Sequence, residues 1–177
     1  MTYEEKTMKS EKLYEGKIIN LRIDTVELPD KKYSKREIVE HPGGVAIVGI
    51  TDENEILLVK QYRKAVDRVL LELPAGKIEV NEEPKETAFK ELKEETGYST
   101  ENLEYLLEFY TSPGFSTEKV YIFLAENMEK GEQELESGEY IEVESYKIDD
   151  LIKMIKKGEI IDSKTIIGIY AMKDRLS

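Results

Sequence analysis

A chain of 177 residues with 40% hydrophobic and 36% charged side chains has a globular composition, long enough for one compact core and too apolar for disorder. The absence of cysteine excludes a disulfide framework, thiolate catalysis and a thiolate zinc site, and the single histidine, His41, leaves a Ser-His-Asp mechanism or a His-rich metal site resting on one residue. A net charge of -12 repels polyanions, so no nucleic-acid partner is expected, whereas a small phosphorylated ligand fits if the acids first collect cations.

In chain order, MTYEEKTMKSEKLYEG lacks the apolar core of a secretion signal, and no later run approaches the ~18 apolar residues of a membrane span. A cytoplasmic protein without membrane contact is expected. Lys17 to Leu28 reads as a strand, with Leu21, Ile23, Val26 and Leu28 mostly alternating; Pro29-Asp30-Lys31-Lys32 is a turn, and a second strand runs from Tyr33 to Glu40. This polar hairpin has little apolar surface of its own and is expected to lean on the main domain or on a second subunit. His41-Pro42-Gly43-Gly44 breaks the run, dividing an N-terminal β element, residues 1–42, from a main domain, residues 43–177.

Val45 to Ile50 and Ile56 to Val59 flank Thr51-Asp52-Glu53-Asn54 and predict a buried hairpin. A strand from Val69 to Leu73 closes at Pro74-Ala75-Gly76, and further strands are expected at Leu103 to Tyr110, Lys119 to Ala125 and Ile141 to Tyr146. One helix opens near Pro84 and stops at Gly97. A second spans about Asp149 to Lys157, capped by Asp149 and stopped by Gly158. A third spans about Ser163 to Arg175, capped by Asp162 or Ser163 and burying Ile166, Ile167, Ile169 and Tyr170. The expected class is α/β (α+β), a mixed sheet with helices on both faces.

The segment Glu86 to Gly97, ETAFKELKEETG, carries the chemistry. On a helix Glu91, Glu94 and Glu95 gather along one edge, each like-charge pair costing roughly 0.2–0.5 kcal/mol. Glu94 and Glu95 also fall in the last turn, where the helix dipole favours cations. Such a face is ordinarily a solvated one, and Lys90 and Lys93 partly support that reading. The favourably ordered pair, Glu86 with Lys90, nevertheless leaves the Glu91/Glu94/Glu95 edge uncompensated. A bound hard cation reverses the sign of the repulsion, and an all-oxygen set points to Mg²⁺ or Mn²⁺. Upstream, Leu71-Glu72-Leu73-Pro74-Ala75-Gly76-Lys77 is a strand entering a tight turn, with a glycine that permits close backbone approach.

Gly76, Glu82, Lys90, Glu91, Leu92, Glu94, Glu95, Gly97 and Tyr98 together resemble the signature of the Nudix hydrolases: a glycine, a glutamate six residues on, then Arg-Glu-aliphatic-x-Glu-Glu-x-Gly-aliphatic. Two positions depart. Lys90 stands where the family has an arginine, a point charge in place of a planar fork, and Tyr98 replaces an aliphatic residue. The resemblance extends over nearly the whole chain, towards the branch of the family that cleaves ADP-ribose, with Pro113 sixteen residues after Gly97 as its mark.

That resemblance implies a Nudix-type α/β/α sandwich and hydrolysis of ADP-ribose to AMP and ribose 5-phosphate with two or three Mg²⁺ ions (or Mn²⁺) per site. It implies Glu91, Glu95, Glu139 and the backbone carbonyl of Ala75 as metal ligands, with Glu94 assisting. Glu136 is the implied general base, one residue displaced from the family's position, where Ser137 stands. Arg36 and Glu37 would contact the adenine side, Arg63 the diphosphate, and Ser112, Pro113, Gly114 and Glu118 the terminal ribose, with Lys77 a further substrate-binding residue. The same resemblance implies a homodimer with a swapped N-terminal hairpin, placing Lys17 and Ile18 where a partner reaches across. Two alternatives stay open: a hydrolase of another sugar nucleotide such as GDP-mannose, and a catalytically silent nucleotide-binding module.

Overall fold

The computed structural model describes residues 3–135 and 137–176. Its contacts fall into two units, Met1–Gly43 with Tyr110–Lys119, and Gly44–Phe109 with Val120–Ser177.

In the first unit β1 (Lys6–Glu15), β2 (Asn20–Glu27) and β3 (Tyr33–Glu40) form an antiparallel sheet in that order. The sequence predicts only the β2–β3 hairpin. β1, KTMKSEKLYE, is exposed along its whole length, so no buried face imposes an alternation that could betray it. β2 starts at Asn20, three residues later than predicted, because the Gly16 N–H donates to the Ile19 carbonyl (3.0 Å) and makes 16–19 a turn. The unit also takes in 110–119: the Val39 N–H donates to Phe115 O (2.8 Å) and the Thr117 N–H to Val39 O (3.0 Å).

The second unit is built on β4 (Gly44–Gly49), β5 (Ile56–Arg63), β6 (Arg68–Glu72), β7 (Ala75–Lys77), α1 (Pro84–Thr96), β8 (Tyr98–Ser99), β9 (Leu103–Tyr110), β10 (Lys119–Ala125), β11 (Glu129–Lys130), β12 (Ile141–Tyr146), α2 (Ile148–Lys157) and α3 (Ser163–Leu176). One sheet has the order β7-β4-β10-β9, with β4 and β10 parallel; a second has β12-β5-β6. The predicted β4–β5 hairpin is therefore corrected. The two strands belong to different sheets and share one bridge, Ile50 with Ile56. All six residues of β4 are buried, so both faces need cover and a parallel neighbour serves better than a hairpin partner.

Alternation along β4 separates two apolar layers. Val45 and Ile47 pack with Ala88 and Leu92 of α1, Phe123 and Leu57. Ala46 and Val48 pack with Leu151 of α2 and with Ile169 and Met172 of α3. Helices thus cover both faces, the α/β/α arrangement expected.

The helix ends differ in detail from prediction. α2 begins at Ile148 after Lys147, with Asp149 already inside its first turn. α3 is capped by Asp162, whose Oδ2 accepts the Thr165 N–H (3.0 Å) and O–H (2.6 Å). Tyr170 is 43% exposed, its expected place in the core taken by Met172. Among the described residues no helix is long and apolar enough to cross a membrane.

Candidate active site

α1 holds Glu91 and Glu95 one turn apart, behind Pro84 at its start and ahead of Gly97, which adopts the left-handed conformation (φ 75°) that ends it. Its inner face is fixed by Ala88 and Leu92, both fully buried, which turns the Glu91 edge towards β7. There the backbone leaves a seat. A Cβ built on Gly76 would stand 1.9 Å from Glu91 Oε1 and 2.0 Å from its Cδ, so the carboxylate occupies the volume that any other residue at 76 would fill. The glycine that permits close approach of the backbone here admits the Glu91 carboxylate.

Glu95 is buried, 4% exposed, and its Oε2 accepts the Ala75 N–H at 2.8 Å. Burial pushes its carboxyl up, to about 8; the Ala75 hydrogen bond and the Arg63 charge oppose this, while Glu91 and Glu139 add to it. Glu139, distant in sequence, is thus close enough to Glu95 to be felt. Glu94 is not left uncompensated as predicted: Lys90 Nζ lies 3.8 Å from its Oε2, so the lysine in the signature's arginine position braces this acid. Glu136 lies outside the described residues.

Among the described residues no three acids are gathered closely enough to form a complete cation cage. The donors nevertheless fit a hard divalent ion. All are oxygens, Glu91 is seated by Gly76, and Glu95 is buried with its carboxylate accepting the Ala75 N–H.

Arg63 closes the site on β5. Its Nε and one terminal nitrogen each donate to Glu72 at 2.9 Å, a bidentate pair, and Lys164 from α3 binds the same carboxylate. Burial pushes the Glu72 carboxyl up, but Arg63 and Lys164 outweigh it and hold it below the ordinary range. The predicted diphosphate arginine is therefore fixed by two of its five donors while remaining 39% exposed. Lys77 pairs with Glu79 (3.0 Å) on the far side of Gly76. Glu82 anchors the turn before α1, accepting from Thr87 Oγ1 (2.8 Å) and the Glu79 N–H (3.3 Å).

The other predicted contacts belong to the first unit. Arg36 forks onto Glu5, its Nε donating at 2.8 Å, and also donates to Ser34 Oγ (2.9 Å); Glu37, its neighbour on β3, is exposed. Lys17 and Ile18 sit exposed in the β1–β2 turn. Ser112 to Phe115 forms a turn, carrying Pro113 and Gly114 outward, and Thr111 Oγ1 donates to Glu118 (2.7 Å) across its base. Ser112 and Glu118 line a hollow of about 210 Å³ with Ile19, Val39, His41 and Phe115. His41 Nδ1 accepts the Gly43 N–H (3.0 Å), a structural role.

Glu72, Lys164 and Gln133 were not found from sequence. Glu72 could have been, as a lone acid inside the apolar strand VLLELP. The other two act through contacts between residues far apart in the chain, which spacing does not reveal.

Comparison with known proteins supplies an independent view. The NUDIX domain family model matches residues 40–167, and that of the nucleoside diphosphate sugar hydrolase N-terminal domain matches residues 5–39. An ADP-ribose pyrophosphatase of Bacillus subtilis (strain 168) is 48% identical, over 96% of this chain and 93% of that protein. A methanol dehydrogenase activator of Bacillus methanolicus is 44% identical, over 97% and 94%. A crystal structure of an ADP compounds hydrolase superposes with a TM-score of 0.86 at 18% identity, over 99% of this chain and 96% of that one, a likeness of fold.

Proposed function

The chain belongs to the NUDIX domain family, and we propose that it is a magnesium-dependent pyrophosphohydrolase that adds water across the diphosphate of ADP-ribose to give AMP and ribose 5-phosphate. The observation that carries this reading is the pair of acids on α1, Glu91 seated over Gly76 and Glu95 buried against the Ala75 N–H. The 48%-identical pyrophosphatase supports the choice of substrate.

Glu91, Glu95, Glu139 and the Ala75 carbonyl would hold two or three Mg²⁺ or Mn²⁺ ions, which when bound neutralise the diphosphate and acidify a water. Arg63, already oriented by Glu72, offers its remaining donors to a phosphate oxygen, with Lys77 nearby in sequence beyond Gly76. Glu136 takes the proton from the attacking water, and Glu94, braced by Lys90, assists. Arg36 and Glu37 receive the adenine end, and Ser112, Pro113, Gly114 and Glu118 the terminal ribose.

The protein acts in the cytoplasm as a homodimer, with β1 and the Lys17–Ile18 turn reaching the partner. The exposure of Met8, Leu13 and Tyr14 on β1, between 49% and 57%, supports that pairing. Assaying ADP-ribose, GDP-mannose and dinucleoside polyphosphates with and without Mg²⁺ tests the reading. ADP-ribose is expected to be the preferred substrate, with turnover in Glu91→Gln and Glu95→Gln lower by orders of magnitude. Near-normal hydrolysis in either variant removes the ligand assignment, and binding without turnover identifies a silent module. A second reading is favoured by the 44%-identical relative, that the chain activates a dehydrogenase. Its addition to a purified methanol dehydrogenase, read as a change in that enzyme's turnover, tests this second reading.

A further inference from the structure

Past the end of α1 the chain returns to lie along it. Glu129 and Lys130 of β11 pair with Ser99 and Tyr98 of β8. The Gly131 N–H then donates to Gly97 O (2.7 Å), the Glu134 N–H donates to Glu94 O (3.1 Å), and Lys93 Nζ pairs with Glu134 (2.8 Å). Between these the side chain of Gln133 donates from Nε2 to the backbone carbonyl of Glu95 at 2.6 Å. The approach is tight enough to dictate Gly97. A Cβ there would stand 2.9 Å from Gly131 O and Glu132 C, and 3.0 Å from Gln133 N. The last carbonyls of a helix lack partners within it, and here 131–134 supplies them.

Glu134, at the end of this zipper, precedes the acids Glu136 and Glu139 in sequence. β12 begins at Ile141, paired with Gln61 of β5. Glu139 lies five residues beyond Glu134 and two before the start of β12. We infer that Gln133 is a positioning residue: it ties the segment that leads to Glu139 to the Glu95 carbonyl at the end of α1 and so sets Glu139 relative to the α1 acids. The inference rests on the proposed cation site. Its chemistry asks for a neutral donor at this point. A glutamate of the same shape would present an acceptor to the carbonyl, and an alanine would leave the carbonyl without that bond.

The test uses Gln133→Glu, Gln133→Ala, Glu139→Gln and the two double variants, all as full-length protein. Mn²⁺ binding is followed by electron paramagnetic resonance of the free ion, alongside kcat and KM with ADP-ribose and amide exchange across 129–141. Each Gln133 variant is expected to weaken Mn²⁺ binding and lower kcat by about tenfold, the scale of outer-shell ligand supports. KM should stay within about twofold, and the Gly131 and Glu134 amides should exchange faster while β12 stays protected. With Glu139 already replaced, the Gln133 changes should shrink to less than about twofold, because coupled residues are not additive. A role confined to holding the fold would lower the melting temperature and leave Mn²⁺ affinity unchanged, which overturns the inference. So does an equal loss with and without Glu139. If one Gln133 variant does not fold, the other decides. A wild-type protein inert towards ADP-ribose would overturn the proposed substrate, while the Mn²⁺ titrations would still decide the role of Gln133.

Discussion

At Gly76 a methyl group would displace the Glu91 carboxylate by more than an ångström from the place it occupies, since the built Cβ falls 1.9 Å from Oε1. Misplacing a catalytic group by about 1 Å can cost ~100-fold, so Gly76→Ala is expected to lower kcat by about that factor with only a few degrees lost in melting temperature. A steady-state assay beside a thermal melt checks both. Glu95 makes a prediction of the opposite kind. Without a cation its folded value near 8 lies above the ordinary 4.5, so between those pH values the native chain keeps a proton that the unfolded chain has lost. Stability of the chelated protein should therefore fall as pH rises across that window, by up to about 1.4 kcal/mol per unit. Glu95→Gln should abolish the slope. Urea denaturation in EDTA from pH 5 to 8.5 measures it, and a flat wild-type profile would contradict it.

Among the elements, β5, β6 and α3 meet at Glu72, whose side chain is 1% exposed between Arg63 and Lys164. Because its folded value is depressed, its contribution is present above about 4.5 and is lost as pH falls through the lower folded value. Glu72→Gln strands two cations. The expected loss is about 2–3 kcal/mol, below the ~3–5 for a fully buried pair because Arg63 keeps contact with water. Denaturant midpoints at pH 7 and pH 3 should show that loss at the higher pH and a smaller one at the lower.

The same elements explain what could be read from residues alone. α1 was legible from Pro84, Gly97 and its spaced acids, because caps and helical spacing are local properties. The pairing of β4 was not, since its buried run fits a hairpin as well as a parallel neighbour until β10 is known to lie beside it. β1 carries alternating charges with no buried face, which leaves no apolar signal. The placing of Glu91 and Glu95 one turn apart on α1 followed from their spacing. The seat at Gly76, the lysine brace on Glu94 and the grip of Gln133 on Glu95 depend on contacts that only folding makes.

For the molecule as a whole, the first question is copy number. A mass of twice 20.5 kDa is expected by light scattering, with Leu13→Glu and Tyr14→Glu shifting it towards the single chain; a wild-type mass of 20.5 kDa would remove the proposed dimer. The second concerns β4, whose odd and even residues belong to different apolar layers. Since a strand's side chains alternate by two, a slip of one position would send Val45 and Ile47 to the α3 side and Ala46 and Val48 to the α1 side at once. Both layers thus depend on the placing of this one strand. Heat is therefore expected to release α1 on one face and α2 and α3 on the other in a single event, with activity and near-ultraviolet dichroism vanishing together.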